Sequence, residues 1–414
     1  MTRAEPAVMT MNEPNVVTVQ LASAVRGSVD PHLSIRHYDP DADMMLLHFG
    51  PQHPSTHGVF RMDLHLDGEI IVKATPYVGY LHRAVEKLCE KLGYVQQTPI
   101  VDKNDYVAPM TNEQALVMAF EKLLAVEVPR RARWMRMIFA ELQRIASHLL
   151  WLGTFTLDLG GALGGGSTLF LHCFRERELI LDLFEEVTGA RFHYNTHTIG
   201  GNRHDLPAGF ATKVKAALDL IEGRIREYEA LSLDNSIFVA RTKAVGVLTG
   251  DLALELGITG PILRASGVDH DLRRDAPYHA YDEIEVRVPV EREGDCLARA
   301  KVRFAEMRES IRIVRDAIDG VPEGPINGFK PVRQPTQVKA TAGQVYVAIE
   351  TPRGELGTFV IAGSDPATSP HRLKIRPPSM HALAALPYIL PGATVSDAVA
   401  ILGSLDPIMG EVDR

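Results

Sequence analysis

The densest cluster of polar groups in the sequence is Gly50-Pro51-Gln52-His53-Pro54-Ser55-Thr56-His57-Gly58. His53 and His57 stand four residues apart, a spacing that chelates a metal when both lie on one helix face. Pro54 and Gly58 argue against a helix, and no neighbouring Cys, Asp or Glu supplies further ligands. The better-suited chemistry is that of a loop imidazole at a pocket rim, donating a hydrogen bond or a proton near neutral pH. Loop anchoring by both rings is the plainer alternative. Tyr106, within Asp102-Lys103-Asn104-Asp105-Tyr106-Val107, is a second neutral donor, since a phenol titrates near pH ~10. A core tyrosine with a satisfied hydroxyl is the competing reading. Asp158 lies in residues 149–171, the most apolar stretch of the chain, where a carboxylate is costly unless paired. A histidine is the economical partner, because the carboxylate fixes its tautomer and stabilises the imidazolium. Otherwise Asp158 simply ends a helix beside Gly160 and Gly161. His82-Arg83 follows a Gly79-Tyr80 turn, and Arg83 suits either an anion or redox centre or a bridge between carboxylates. His193 carries no signal alone. The glycines at 160–166 lack the Gly-Lys-Ser/Thr ending of a phosphate loop, and no nucleophile elbow is present.

The elements that must position these groups fall into a sequence of segments. Residues 1–43 read as a variable, irregular extension. Residues 44–111 are β-rich and carry the histidine loop. There Phe60, Met62, Leu64 and Leu66 alternate with Arg61, Asp63 and His65, and Asp67-Gly68 precedes Ile70-Ile71-Val72, a hairpin signal. Residues 112–325 form a helical core. Pro129 suits the first turn of a helix in which Trp134, Ile138, Leu142, Ile145, Leu149 and Leu152 recur at helical spacing. Arg130, Arg131, Arg133 and Arg136 crowd its start, the wrong end for the helix dipole, so they face a partner, an acidic surface or water. Further helices are expected near 175–188, 211–231 and 296–318, with loop and a short strand across 277–290. Residues 326–414 form a small α/β segment, with strands near 344–350, 358–362 and 372–376 around a Pro352-Arg353-Gly354 turn, and short helices near 380–386 and 395–402.

The chain has 414 residues, 45% apolar and 23% charged. Its 44 Lys and Arg against 52 Asp and Glu leave a net charge of −8, which argues against bulk nucleic-acid binding. Cys89, Cys173 and Cys296 are widely spaced and form no Cys-x-x-Cys pair. They imply a reducing compartment, and they fall short of the four thiolates of an ordinary iron–sulfur cluster. No secretory signal or membrane span is expected, so a membrane role runs through partners.

Together, the loop at 50–58 with Val59, Gly79-Tyr80-Leu81-His82-Arg83, Asp105-Tyr106, Ser147-His148-Leu149-Leu150-Trp151-Leu152-Gly153, Phe174-Arg175-Glu176-Arg177-Glu178, Gly257-Ile258-Thr259-Gly260-Pro261, Gly294-Asp295-Cys296 and the closing Ser404-Leu405-Asp406-Pro407-Ile408-Met409-Gly410-Glu411-Val412-Asp413-Arg414 resemble one family. It is the D-type, quinone-site subunit family of respiratory complex I, the proton-pumping NADH:quinone oxidoreductase. The resemblance runs from about residue 45 to the last residue, and the order and spacing of the motifs make it specific.

The resemblance implies an α+β fold like the nickel–iron hydrogenase large subunit, a helical bundle with a β-rich N-terminal segment and a small α/β C-terminal one. The Cys-x-x-Cys pairs that hold nickel are absent, so no metal is expected on this chain. The old metal cavity becomes a quinone headgroup pocket. His57 and Tyr106 match the donors to the two quinone carbonyls, with His53 beside them, and Asp158 matches the carboxylate partner of His57. Arg83 matches an Arg beside an iron–sulfur cluster held by the B-type partner, and His193 a His linked to that cluster's pH-dependent potential. The implied partners are that iron–sulfur subunit, the C-type and other peripheral-arm subunits, and the membrane arm. NADH and flavin belong to distant subunits. The implied location is peripheral, on the cytoplasmic side of the inner membrane. The chain departs from the family pattern at Ala84, where the family has Gly, at Thr198, where it has Arg, in Asp102-Lys103-Asn104, and in a lengthened glycine turn over 160–167 with Leu169 in place of Pro. Rival readings are a homologous complex fed by ferredoxin or another donor, a non-catalytic scaffold, and, remotely, a zinc hydrolase.

Overall fold

In the computed structural model the chain is described over residues 33–39, 44–160, 166–329, 338–340, 342–363 and 368–414. The alternating residues after Met44 become an antiparallel sheet, with strands β1 (Leu33–Asp39), β2 (Met44–Phe49), β3 (Arg61–Asp67) and β4 (Ile70–Tyr77) in spatial order β1-β2-β3-β4. The Asp67-Gly68 hairpin forms where the alternation places it, with Asp67 opposite Ile70 and Gly68 at φ 60°. Its inner face buries Met62, Leu64 and Ala74 against the main core. Residues 33–39 differ from the irregular extension read from the sequence: they pair with β2, from Leu33 opposite Phe49 to Asp39 opposite Met44. The exposed edge of β2 supplies the hydrogen bonds that their mixed composition does not advertise.

After β4 come α1 (Val85–Cys89), α2 (Thr98–Val101), α3 (Pro109–Leu124), α4 (Arg130–Asp158) and α5 (Gly166–Thr188). The two-residue strands β5 (His197–Thr198) and β6 (Gly201–Asn202) form a small hairpin. The chain continues through α6 (Phe210–Leu231), α7 (Ser236–Thr242), α8 (Gly250–Glu255), α9 (Gly260–Ala265), α10 (Leu272–Asp275) and α11 (Cys296–Ile318). Residues 277–290 hold a 3₁₀ turn at Tyr281–Glu283 in place of the expected short strand. A second antiparallel sheet, β7 (Gln344–Thr351), β8 (Gly354–Ile361) and β9 (Arg372–Arg376), precedes α12 (Pro378–Leu383), α13 (Leu386–Ile389), α14 (Val395–Leu405) and α15 (Met409–Asp413). Helices and small sheets therefore share one α+β chain. The glycine turn at 160–167 lies largely outside the described residues.

Helix α4 is the spine. Its 29 residues span about 43 Å at 1.5 Å per residue. Trp134, Ile138, Leu142, Ile145, Leu149 and Leu152 are buried along it, where it packs against α5, α11, α14 and α3. The arginines at its start meet acids and carbonyls of this chain, with Arg130 still open to water. Arg130 pairs with Glu283 and Arg131 with Asp205, Arg133 donates to the His279 carbonyl, and Arg136 is wholly buried. Arg136 grips Glu121 of α3 through two bonds of 2.9 and 2.7 Å and also donates to the Thr198 and Gly201 carbonyls. It thus sets the β5–β6 hairpin.

A larger buried charge network crosses the bundle. Arg273 bridges Glu141 and Asp271, while Arg264 bridges Glu306 and Glu350. His148 pairs with Glu306 at 2.9 Å. Removing one partner of such a pair leaves an uncompensated buried charge. Glu121→Ala, which strips Arg136 of its only carboxylate bonds among the described residues, is expected to destabilise the chain by about 3–5 kcal/mol. Thermal unfolding of the assembled protein measures this, and an unchanged midpoint would contradict it.

Candidate active site

The loop after β2 tightens into a 3₁₀ turn at Pro54–Thr56. His53 caps it: its Nδ1 accepts the Ser55 N–H at 3.2 Å, and its ring lies 4.5 Å from that of Phe49. Buried Thr56 donates its hydroxyl to the His53 carbonyl at 2.7 Å. These contacts tie His53 into the loop. His57 follows at φ 55°, a left-handed conformation that a residue with a Cβ adopts at a cost of about 1–2 kcal/mol. That cost is offset by what the turn achieves. His57 Nε2–H donates to Asp158 Oδ2 at 2.5 Å, across 101 residues of sequence, with both side chains almost wholly buried. Asp158 is the last residue of α4, so it both ends the helix and pairs with histidine.

Burial works against a charge on His57, but the Asp158 hydrogen bond and charge, aided by Asp406, outweigh it and raise the ring's pKa above 6.5. Arg353 opposes the shift more weakly. Asp406 holds Arg353 through its carboxylate at 3.2 Å and its carbonyl at 3.1 Å, and Arg353 reaches Asp105 at 2.7 Å. Asp105 also accepts the N–H groups of Val107 and Ala108, which fixes the backbone on either side of Tyr106. Burial, then the Asp105 charge, push the Tyr106 phenol up, so it stays a neutral donor.

Three glycines border these side chains, and two of them, Gly403 and Gly410, leave no space for a Cβ. A Cβ on Gly58 would stand 4.0 Å from the Tyr106 hydroxyl, one on Gly410 3.3 Å from the Tyr106 ring, and one on Gly403 3.4 Å from His57 Nε2. Tyr106 opens onto a cleft of about 310 Å³ lined by Leu81, Arg83, Lys103, Phe192, His193 and Gly410. Arg83 donates to the Lys103 carbonyl at 3.0 Å and to Asn104 Oδ1 at 3.1 Å. Its loop is tied down by Asp413, whose carboxylate accepts the N–H groups of Gly79 and Leu81 at 2.7 Å each. Ala84 takes φ 55°, so the left-handed turn persists without glycine. His193 Nδ1 lies 3.8 Å from Asp102 Oδ2, and burial, with help from Lys103 and Arg83, lowers its pKa against the pull of Asp102.

The structure therefore brings His57 and Asp158 into contact and groups Tyr106, Arg83 and His193 around one cleft, with His53 in the loop that carries His57. Sequence reasoning missed Arg353, Asp406 and Gly403, and Glu411, whose buried carboxyl is pushed up to about 8 by burial and the nearby Asp105. The available signal was an arginine in a turn flanked by buried strands and an aspartate closing an apolar helix, both of which demand partners. Among the described residues no group of His, Cys, Asp and Glu is placed to hold a metal ion, and no helix is long and apolar enough to cross a membrane.

A His–carboxylate pair and a tyrosine on a helical scaffold, with a cationic and aromatic cleft, define a component of a redox complex when set beside known sequences. The family described as respiratory-chain NADH dehydrogenase, 49 Kd subunit, matches residues 164–414. The D-type subunit of the NADH-quinone oxidoreductase of Geotalea uraniireducens is 44% identical over 393 residues, covering 90% of this chain and 99% of that one. Its counterpart in Dehalococcoides mccartyi (strain 195) is 48% identical over 372 residues, covering 90% and 99%. The second such protein of Rhizobium etli (strain CFN 42) is 45% identical over 392 residues, covering 89% and 95%. The chain belongs to this family, the D-type subunits of NADH-quinone oxidoreductase.

The raised pKa of His57 makes a signed prediction. The ring binds its proton more tightly folded than unfolded, so its contribution is fully present below the ordinary value of 6.5 and is lost as pH rises through the raised folded value. The stability gap between the wild type and Asp158→Asn should narrow on raising pH from about 5.5 to about 9. Thermal unfolding across that range tests it, and a gap independent of pH would contradict the pairing.

Proposed function

We propose that this chain is the quinone-reducing component of a membrane-associated NADH:quinone oxidoreductase, on a scaffold like the hydrogenase large subunit. The single observation that carries the reading is the His57–Asp158 pair with the Tyr106 hydroxyl close by, 4.0 Å from where a Cβ on the neighbouring Gly58 would stand. Family membership supplies the substrate class.

Reducing a quinone adds two electrons and two protons and converts both carbonyls to hydroxyls. His57, charged through Asp158, donates toward one carbonyl oxygen, and the Tyr106 phenol donates toward the other. Donors fixed before reaction stabilise negative charge as it develops on those oxygens without reorganising. Each then passes its proton, leaving a neutral imidazole on Asp158 and a phenolate beside Arg353, and both are refilled from water. An iron–sulfur cluster held by the B-type partner would supply the electrons, and Arg83 and His193, which line the cleft beside Tyr106, are the residues of this chain that would face it. This chain's thiols are no substitute: Cys89, Cys173 and Cys296 are buried in three different helices. Loss of the His57 proton changes the charge facing Asp158, Asp406 and Arg353, which is the local start of a conformational signal to the membrane arm. The C-type and other peripheral-arm subunits and the membrane arm complete the assembly, placed peripherally on the cytoplasmic side of the inner membrane. NADH and flavin act in distant subunits.

Tyr106→Phe removes one donor and little else. It is expected to lower NADH:quinone turnover by about 10²-fold or more, while NADH oxidation by an artificial acceptor upstream of the quinone stays at the wild-type rate. Equal quinone turnover in both proteins would overturn the assignment. Absence of NADH activity in the wild-type complex would point to another electron donor.

A further inference from the structure

We propose that Gly403 is a positioning residue for the quinone reaction: its missing side chain is what lets Asp158 close onto His57. The inference rests on the site assigned to His57 and Asp158 above. Gly403 lies inside α14, in right-handed helical backbone that any L-residue adopts. Glycine there costs about 1 kcal/mol of helix stability relative to alanine, so the backbone gives no reason for it. Space does. A Cβ at this position would stand 2.7 Å from Asp158 Oδ2, 3.1 Å from Phe155 Cδ2 and 3.4 Å from His57 Nε2. The first distance is one that real Cβ atoms do not sustain, so either the wall or the carboxylate has to move.

The wall is pinned. The Trp151 indole N–H donates to the Gly403 carbonyl at 2.9 Å. Arg303 donates to the Ser404 carbonyl at 2.9 Å, and Arg299 to the Ser404 hydroxyl at 2.9 Å. All three donors are fully buried, and the Arg303 guanidinium sits 4.4 Å from the centre of the Trp151 ring, which stacks on Phe155 at 5.0 Å. Retreat of the wall would break several buried hydrogen bonds at once, whereas turning the Asp158 side chain breaks one. The carboxylate therefore yields, and His57 loses the partner that holds its proton against burial. Asp406 is left as the remaining favourable charge and Arg353 as the opposing one.

The test is a double-mutant cycle on the assembled complex, comparing Gly403→Ala in the wild-type and D158A backgrounds. Readouts are NADH:quinone turnover, NADH oxidation by an upstream artificial acceptor, and the pH profile of quinone turnover. A displacement of this size is expected to cost about tenfold in quinone turnover in the wild-type background and less than about twofold in the D158A background, with the upstream rate unchanged. The alkaline fall in turnover should also move to lower pH. Near-wild-type turnover in Gly403→Ala, or the same fold-loss in both backgrounds, overturns the proposal while leaving the site assignment intact. Wild-type turnover in D158A alone overturns the site assignment, and this proposal with it. If Gly403→Ala blocks assembly, recovery of assembly in the D158A background supports the proposal, and failure in both overturns it.

Discussion

A carboxylate at the inner end of a long apolar helix has to be paired, and the arrangement around the site follows from that need. Asp158 closes α4 with its side chain almost wholly out of water. Left alone there, a charge is intolerable, and the group neutralises or drags in a partner. The partner is His57, delivered by a loop that accepts a left-handed residue to do so. That loop is held in turn by the His53 cap, by the Thr56 hydroxyl and by the sheet that ends at Phe49. The histidine loop, the sheet that carries it and the spine of the bundle meet at one short hydrogen bond.

From that bond a string of alternating charge leads to Tyr106. Asp158 faces His57; Asp406 adds its field to the ring; Arg353 clamps Asp406 and reaches Asp105; Asp105 fixes the backbone around Tyr106. Such a string is rigid, because breaking any buried member strands a charge. It also makes the donors interdependent, since a proton leaving His57 alters the field on Asp406 and Arg353. Burial and the nearby Asp105 push the Glu411 carboxyl up to about 8, which weakens its hold on a negative charge inside the cluster. The proposed reaction calls on both properties: fixed donors during chemistry, and a charge change that neighbouring elements feel.

Much of this was legible in the sequence where local rules apply. The hairpin at Asp67-Gly68 and the α4 stripe from Trp134 to Leu152 follow from period-two and period-3.6 patterns. So does α11, found at Cys296–Ile318 where the pattern put it. Asp158 was legible as a paired carboxylate because its surroundings are so apolar. Other features depend on partners far away in sequence. The strand at 33–39 exists because β2 offers an edge, and the arginines at the start of α4 found acids from α3 and distant loops. Arg353 looked like turn filler, yet it joins Asp105 to Asp406 across 248 and 53 residues. His53 and His57 are equivalent by residue type; only the turn between them assigns one to the loop and the other to Asp158.

The central claim is that His57 and Tyr106 face the same quinone headgroup. The most direct measurement is a high-resolution cryo-electron microscopy structure of the assembled complex with a bound quinone. The account predicts one carbonyl oxygen at hydrogen-bond distance, about 2.6–3.2 Å, from the His57 ring, with the other at the same distance from the Tyr106 hydroxyl. A headgroup seated with neither donor in reach, while the His57–Asp158 pair remains intact, would contradict it.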